Sequence, residues 1–242
     1  MAGDDEIQKS FETADDAMQA LWGLHSYVRA AESISSRDEI LARLPHGTFQ
    51  MTHHWQRIYS PEELVDEMQK VFEFVHSRSS LTALVALFEA ATERFIERLV
   101  LLGEVKPVTN RYSQQLAWLT DLVTGTNAGS KEMRSRLPIT LGDVDNARRL
   151  RNECVHNNGK FSPKYFSDAL TVAGLSRQDE SAARTGDPIQ LTHHRFEYFC
   201  RSHLDLLHIA HITIQRKWFD PGFDYNYAAE GKRIEWCRIL DP

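Results

Sequence analysis

The 242-residue chain predicts an all-α fold. Three observations carry the expectation. Apolar residues recur at helical spacing through most segments. One segment opens with a complete helix-start signature at Ser60-Pro61-Glu62-Glu63. Several segments close at glycine or asparagine, residues that tolerate the left-handed backbone a helix end requires. No internal repeat or low-complexity tract interrupts the pattern.

The elements follow in order. From about Phe11 to Ile34, Ala17, Leu21, Leu24 and Val28 repeat at helical spacing, with acidic residues early in the segment. Pro45 and Gly47 mark a turn region in the stretch that follows. At the next start Ser60 is the N-cap, Pro61 suits the first helical position and Glu63 closes a capping box. Leu64, Met68, Val71, Phe72 and Val75 form the stripe behind it. A second start is expected near Ser80. It opens the most apolar helix, with Leu84, Leu87, Phe88, Ala91, Phe95, Leu99 and Leu102 in period and a stop at Gly103.

Tyr112 to Val123 predicts a further helix, ended by Gly125, and GTNAGSKEMRSRLP reads as a loop. Thr140 is expected to cap the next helix, with Asp143 in its first turn, and Asn157, Asn158 and Gly159 to stop it. Ser162-Pro163 predicts a short helix to about Ala173, followed by the polar loop LSRQDESAARTGDP and a short extended PIQL. The last long helix runs from about His193 to Trp218 on Phe196, Phe199, Leu204, Leu207, Ala210 and Ile214. The aromatic tail after it is expected to pack back on the body. These boundaries divide the chain into an N-terminal helical extension (1–59), a helical bundle (60–218) and the C-terminal tail (219–242).

Composition excludes several function classes. Apolar runs are short and interrupted by charge, so no segment is expected to span a bilayer. The acidic start MAGDDEIQKSFE lacks the apolar core of a secretory signal. Cys154, Cys200 and Cys237 are odd in number and widely spaced, which suits reduced thiols and a cytoplasmic location. There is no Walker loop, GxGxxG or GxSxG motif to support an NTPase, dinucleotide or hydrolase reading. No cofactor is expected. His203, His208 and His211 share one helix, but Asp205 is the only acid in that turn, so no metal site is expected. Glu89 and Glu93 are expected on the exposed side of their helix, unless one of them, with Glu93 the residue to test, pairs with Arg151.

Charge is unevenly distributed. The net charge is −6, yet Lys131 to Lys164 carries eight basic and four acidic residues, so this zone is +4 and the remainder −10. A local basic zone on an acidic chain suits focused phosphate contact better than broad coating of nucleic acid. Within it lies RRLRNECVHNNGKF, Arg148 to Phe161.

On a helix turning ~100° per residue, Asn152 and His156 are i,i+4 neighbours, and Asp145, Arg148 and Arg149 project to the same side. Val144, Ala147, Leu150, Cys154 and Val155 fill the opposite and flanking arc, with Arg151 at its edge. An arginine there needs a carboxylate or phosphate partner. RNA carries its own nucleophile, the 2′-hydroxyl, so its cleavage needs only an imidazole for proton transfer and a guanidinium for the phosphate charge. Arg151 and His156 supply these groups, and Asn152 adds an orienting contact. Arg148, Arg149 and Lys160 are candidate phosphate contacts. The purely structural reading is that basic groups at a helix C-terminus satisfy its free carbonyls and its dipole.

The segment Arg151-Asn152-Glu153-Cys154-Val155-His156 resembles the signature of HEPN domains, all-helical proteins with an Arg-x4–6-His motif whose arginine is often followed by a polar residue. LFEAATERFIERLV resembles an earlier core helix of these domains, and the resemblance extends from about Pro61 to Trp218. It implies a helical bundle that pairs so that two motifs face each other. It also implies, in many members, a metal-independent ribonuclease acting as a toxin or abortive-infection effector in prokaryotic defence. Carried over, Arg151 and His156 are the catalytic pair and Asn152 the accessory polar residue. The expected partners are an RNA substrate, a second copy of the chain and a separate antitoxin or sensor protein. Some HEPN domains are non-catalytic and bind only RNA or protein, which is the alternative reading here.

Overall fold

The structure is a computed structural model, and it describes residues 3–34, 49–50, 58–108, 112–128, 131–157, 160, 162, 189, 191 and 193–223. Among the described residues five α-helices dominate: α1 (Asp5–Ile34), α2 (Pro61–Leu101), α3 (Tyr112–Val123), α4 (Lys131–His156) and α5 (His193–Ile214). A π-helical turn, Gln215–Phe219, continues α5. Two-residue strands, β1 (Phe49–Gln50) and β2 (Ile58–Tyr59), pair antiparallel just before α2. No described helix is long and apolar enough to cross a membrane.

α1 begins earlier than its apolar period suggests. The Asp4 carboxylate accepts from the backbone N–H groups of Glu6 and Ile7 at 3.1 and 3.0 Å, so it caps the free first turn. The buried face is Ile7, Phe11, Ala14, Met18, Trp22 and His25. The expected stripe through Leu24 is displaced, and Leu24 is 60% exposed. The bulkier series, which includes a buried histidine, wins the interior because it removes more surface from water.

The capping box at Ser60 forms as expected. The Glu63 backbone N–H donates to Ser60 Oγ at 3.2 Å, and the Ser60 N–H donates to the Glu63 carboxylate at 3.0 Å. The side chains of Leu64, Met68, Val71 and Phe72 lie outside the described residues. The second start near Ser80 does not occur, because α2 is continuous over 41 residues. Ser80 is buried, and its hydroxyl meets His25 Nδ1 on α1 at 3.3 Å rather than capping a new helix. Gly103, at φ +75°, ends α2 with the paired bonds Glu104 N–H to Leu99 carbonyl and Gly103 N–H to Val100 carbonyl, 2.9 and 3.0 Å.

α4 also starts earlier than expected. Residues 131–138, read as loop, are helical, and Pro138 lies inside the helix. Thr140 is therefore a buried mid-helix residue and not a cap. Asp143 likewise faces the interior, where its carboxylate accepts from Ser202 Oγ of α5 at 2.8 Å. Tertiary burial of Val144, Ala147 and Leu150 extends the helix upstream through residues whose composition suits a loop. Asn158, Gly159, the expected short helix after Ser162 and most of the following loop lie outside the described residues.

α5 is the central element. Phe196, Phe199, Leu206, Leu207, Ile209, Ala210, Ile212 and Ile214 are buried on more than one face, as in a helix surrounded by others. One continuous core joins α1, α2, α3, α4 and α5. Gln215, fully buried, binds the backbone of Asp4 twice. It accepts from the Asp4 N–H at 2.7 Å and donates to the Asp4 carbonyl at 2.8 Å. Phe219 and Phe223 pack against the core, while residues 224–242 of the expected tail lie outside the described residues.

Candidate functional site

The exit of α4 is built by its own polar residues. Glu153 accepts from Asn157 Nδ2 at 3.2 Å and from the Ser162 N–H at 3.0 Å. Asn157 Nδ2 also donates to the Lys160 carbonyl at 2.7 Å, and the Lys160 N–H returns to the Asn157 carbonyl at 3.1 Å. This knot fixes the turn that carries exposed Lys160 away from the helix. His156 is exposed in the last turn of α4, where a cationic imidazole also suits the helix dipole.

One helical turn back, Arg151 and Asn152 are each half-buried, and Arg151 Nη1 donates to Asn152 Oδ1 at 3.2 Å. Arg151 Nε is buried with no hydrogen-bond partner. The α2 carboxylate whose charge Arg151 offsets is Glu89, and the two make no ion pair among the described residues. Burial raises the Glu89 carboxyl above its ordinary value. Arg151 opposes the shift, and Glu93, one turn along, adds to it. Glu93 is thus a neighbour of Glu89, and it makes no ion pair with Arg151 among the described residues.

Tyr112, the first residue of α3, closes the same corner. Its ring lies 5.8 Å from the Arg148 guanidinium, while its buried hydroxyl has no hydrogen-bond partner. Burial pushes this phenol well up, with Arg148 opposing and Glu89 and Asp145 reinforcing. Nothing in the local sequence marks Tyr112 as part of the corner. Only the packing of α3 against α2 and α5 brings it there.

The remaining arginines are spoken for. Asp145 accepts from Arg148 Nε and Nη2 at 3.0 and 2.6 Å and from Arg149 Nε at 2.6 Å. One carboxylate is therefore shared by two of the three basic groups expected to meet phosphate, and offsets one of their three charges. Lys160 stands apart across the exit turn. The structure thus brings Arg151, Asn152, Glu89 and Tyr112 to one corner, with His156 exposed at the end of α4 and Arg148 and Arg149 held by Asp145.

Cys154 and Cys200 are buried free thiols. Burial raises Cys154 to about 11, which leaves it inert as a nucleophile at neutral pH. Among the described residues no three histidine, cysteine, aspartate or glutamate side chains converge in a way that could hold a metal ion.

No family model, curated protein or solved structure matches the chain.

Proposed function

We propose that the chain is a metal-independent endoribonuclease of the HEPN kind, a toxin or abortive-infection effector in prokaryotic defence, acting as a homodimer. The observation that carries this reading is an exposed imidazole, His156, five residues along the same helix from a half-buried guanidinium, Arg151, whose Nε donor is unspent.

In the proposed reaction an imidazole removes the 2′-hydroxyl proton and the 2′-oxygen attacks phosphorus. The bond to the 5′-oxygen breaks as a second imidazole returns a proton to it, leaving a 2′,3′-cyclic phosphate and a 5′-hydroxyl. Two-fold pairing supplies both imidazoles, one from each copy. Arg151 carries the developing phosphate charge, and Asn152 holds the guanidinium through its 3.2 Å bond.

The alternative is a non-catalytic helical module that binds RNA or a partner protein. The Asp145 bonds to Arg148 and Arg149 favour it, because they withdraw two phosphate-binding groups. One experiment separates the readings. The purified wild type should cleave RNA in EDTA and leave 2′,3′-cyclic ends, elute as a dimer and arrest growth when expressed. His156→Ala, at an exposed position, should fold and dimerise normally yet do none of the cleavage or arrest. Equal harmlessness and inertness of both forms would establish the binding module instead.

A further inference from the structure

Glu89, Glu93 and Glu97 stand at i, i+4 and i+8 on one face of α2, where like charges repel. Arg151 offsets the first of them. Glu93 and Glu97 make no ion pair among the described residues, and they line a cleft of about 180 Å³, room for far more than one water molecule. Ile96 and Val100 of α2, with Pro107 and Val108 of the following connection, form apolar walls. The remaining wall is Gln115 of α3. It is 5% exposed, and its Oε1 is fully buried without a hydrogen-bond partner. A buried amide left unpaired is costly. Rotation of that amide exchanges its oxygen and nitrogen, so the oxygen can meet a donor that enters the cleft.

Two carboxylates without an ion pair among the described residues, one unpaired amide oxygen and hydrocarbon walls describe a definite ligand chemistry. We propose that this cleft binds a cationic group on an aliphatic stem, an alkylammonium or a guanidinium. The charge sits between Glu93 and Glu97, its N–H groups donate to them and to Gln115, and the stem lies on Ile96, Val100 and Pro107. Two sources carry that chemistry: a free polyamine, and a lysine or arginine side chain of a partner protein. The site stands independently of RNA cleavage and uses none of Arg151, Asn152 or His156.

The test is a titration of the 15N-labelled full chain followed at the Gln115 side-chain amide. The probes are spermidine, N-acetyl-lysine amide, N-acetyl-arginine amide and, as the neutral control, lysine amide acetylated at both nitrogens. The cations should shift the Gln115 signal saturably, and the neutral control should not. The Glu93→Gln/Glu97→Gln double variant loses only like-charge repulsion on folding and should bind about fivefold more weakly or worse. Spermidine alone binding assigns the site to a polyamine. Binding by the lysine or arginine derivatives without spermidine assigns it to a partner's basic side chain. The proposal is overturned if no cation shifts the signal, if the double variant binds as the wild type does, or if adenosine or cytidine saturates the cleft while the cations do not.

Discussion

Arg151 spends one guanidinium donor on its own neighbour, giving Asn152 Oδ1 a 3.2 Å bond from Nη1. On the proposed ribonuclease reading this bond makes Asn152 a positioning residue, since it sets the direction in which the remaining Arg151 donors point. Asn152→Ala should therefore lower kcat for RNA cleavage about 10- to 100-fold with a smaller effect on KM, because misplacement of a charge-stabilising group is felt in the transition state. Asn152→Asp keeps the acceptor but sets a negative charge beside the scissile phosphate. It should hold the fold and weaken RNA binding as well. Wild-type kcat in Asn152→Ala would refute the positioning role.

Asp145 predicts the opposite sign. It binds Arg148 and Arg149 together, each of the three half-buried. Partly exposed pairs of this kind contribute little stability. Asp145→Asn should leave the melting temperature nearly unchanged while freeing two guanidinium groups. RNA affinity at low salt should rise, and the slope of log affinity against log salt should steepen by roughly one contact. An unchanged slope would show that these arginines do not face the nucleic acid even when released.

A pH effect on stability comes from the core. His203 is fully buried, its Nδ1–H donates to the Phe199 carbonyl at 2.6 Å, and burial lowers it to about 4, the Phe199 bond working the other way. His211, stacked on Phe11 at 4.8 Å, is lowered to about 3 by burial, with His208 adding to the shift. Both folded-state values lie below that of an unfolded histidine, ~6.5. Below that pH the unfolded chain takes up protons that the folded chain refuses, so stability is full above it and falls as the solution is acidified. Between pH 7.5 and 5 the loss should be on the order of 4 kcal/mol in urea melts, before most carboxylates titrate. His211→Phe should flatten the profile by about half, and a flat wild-type profile would contradict the buried neutral imidazoles.

How far the sequence could be read depended on how local each determinant was. The Ser60 capping box and the Gly103 and Gly125 stops involve residues within a few positions of one another, and all three are where the pattern places them. Leu24 shows the limit of periodicity. Two overlapping stripes fit α1, and only the arrival of α2 and α5 decided that Phe11, Met18 and Trp22 are buried instead. Ser80 carries a start signal that went unused because His25 supplied a tertiary partner. At the site, the shared face of Asn152 and His156 and the reach of Asp145 to Arg148 and Arg149 follow from spacing within α4, whereas Glu89 and Tyr112 arrive from two other helices.

By itself the sequence determined that the chain is helical, where two of its helices stop, and that Arg151, Asn152 and His156 end one of them. These properties depend on backbone preferences and on neighbours within a turn or two. Tertiary structure alone decided which faces are buried, that Glu89 and Tyr112 converge on Arg151 and Arg148, and that Gln115, its buried amide oxygen unpaired, walls a cleft with Glu93 and Glu97. Those outcomes depend on helices distant in sequence competing for the same space, a competition that no local pattern records.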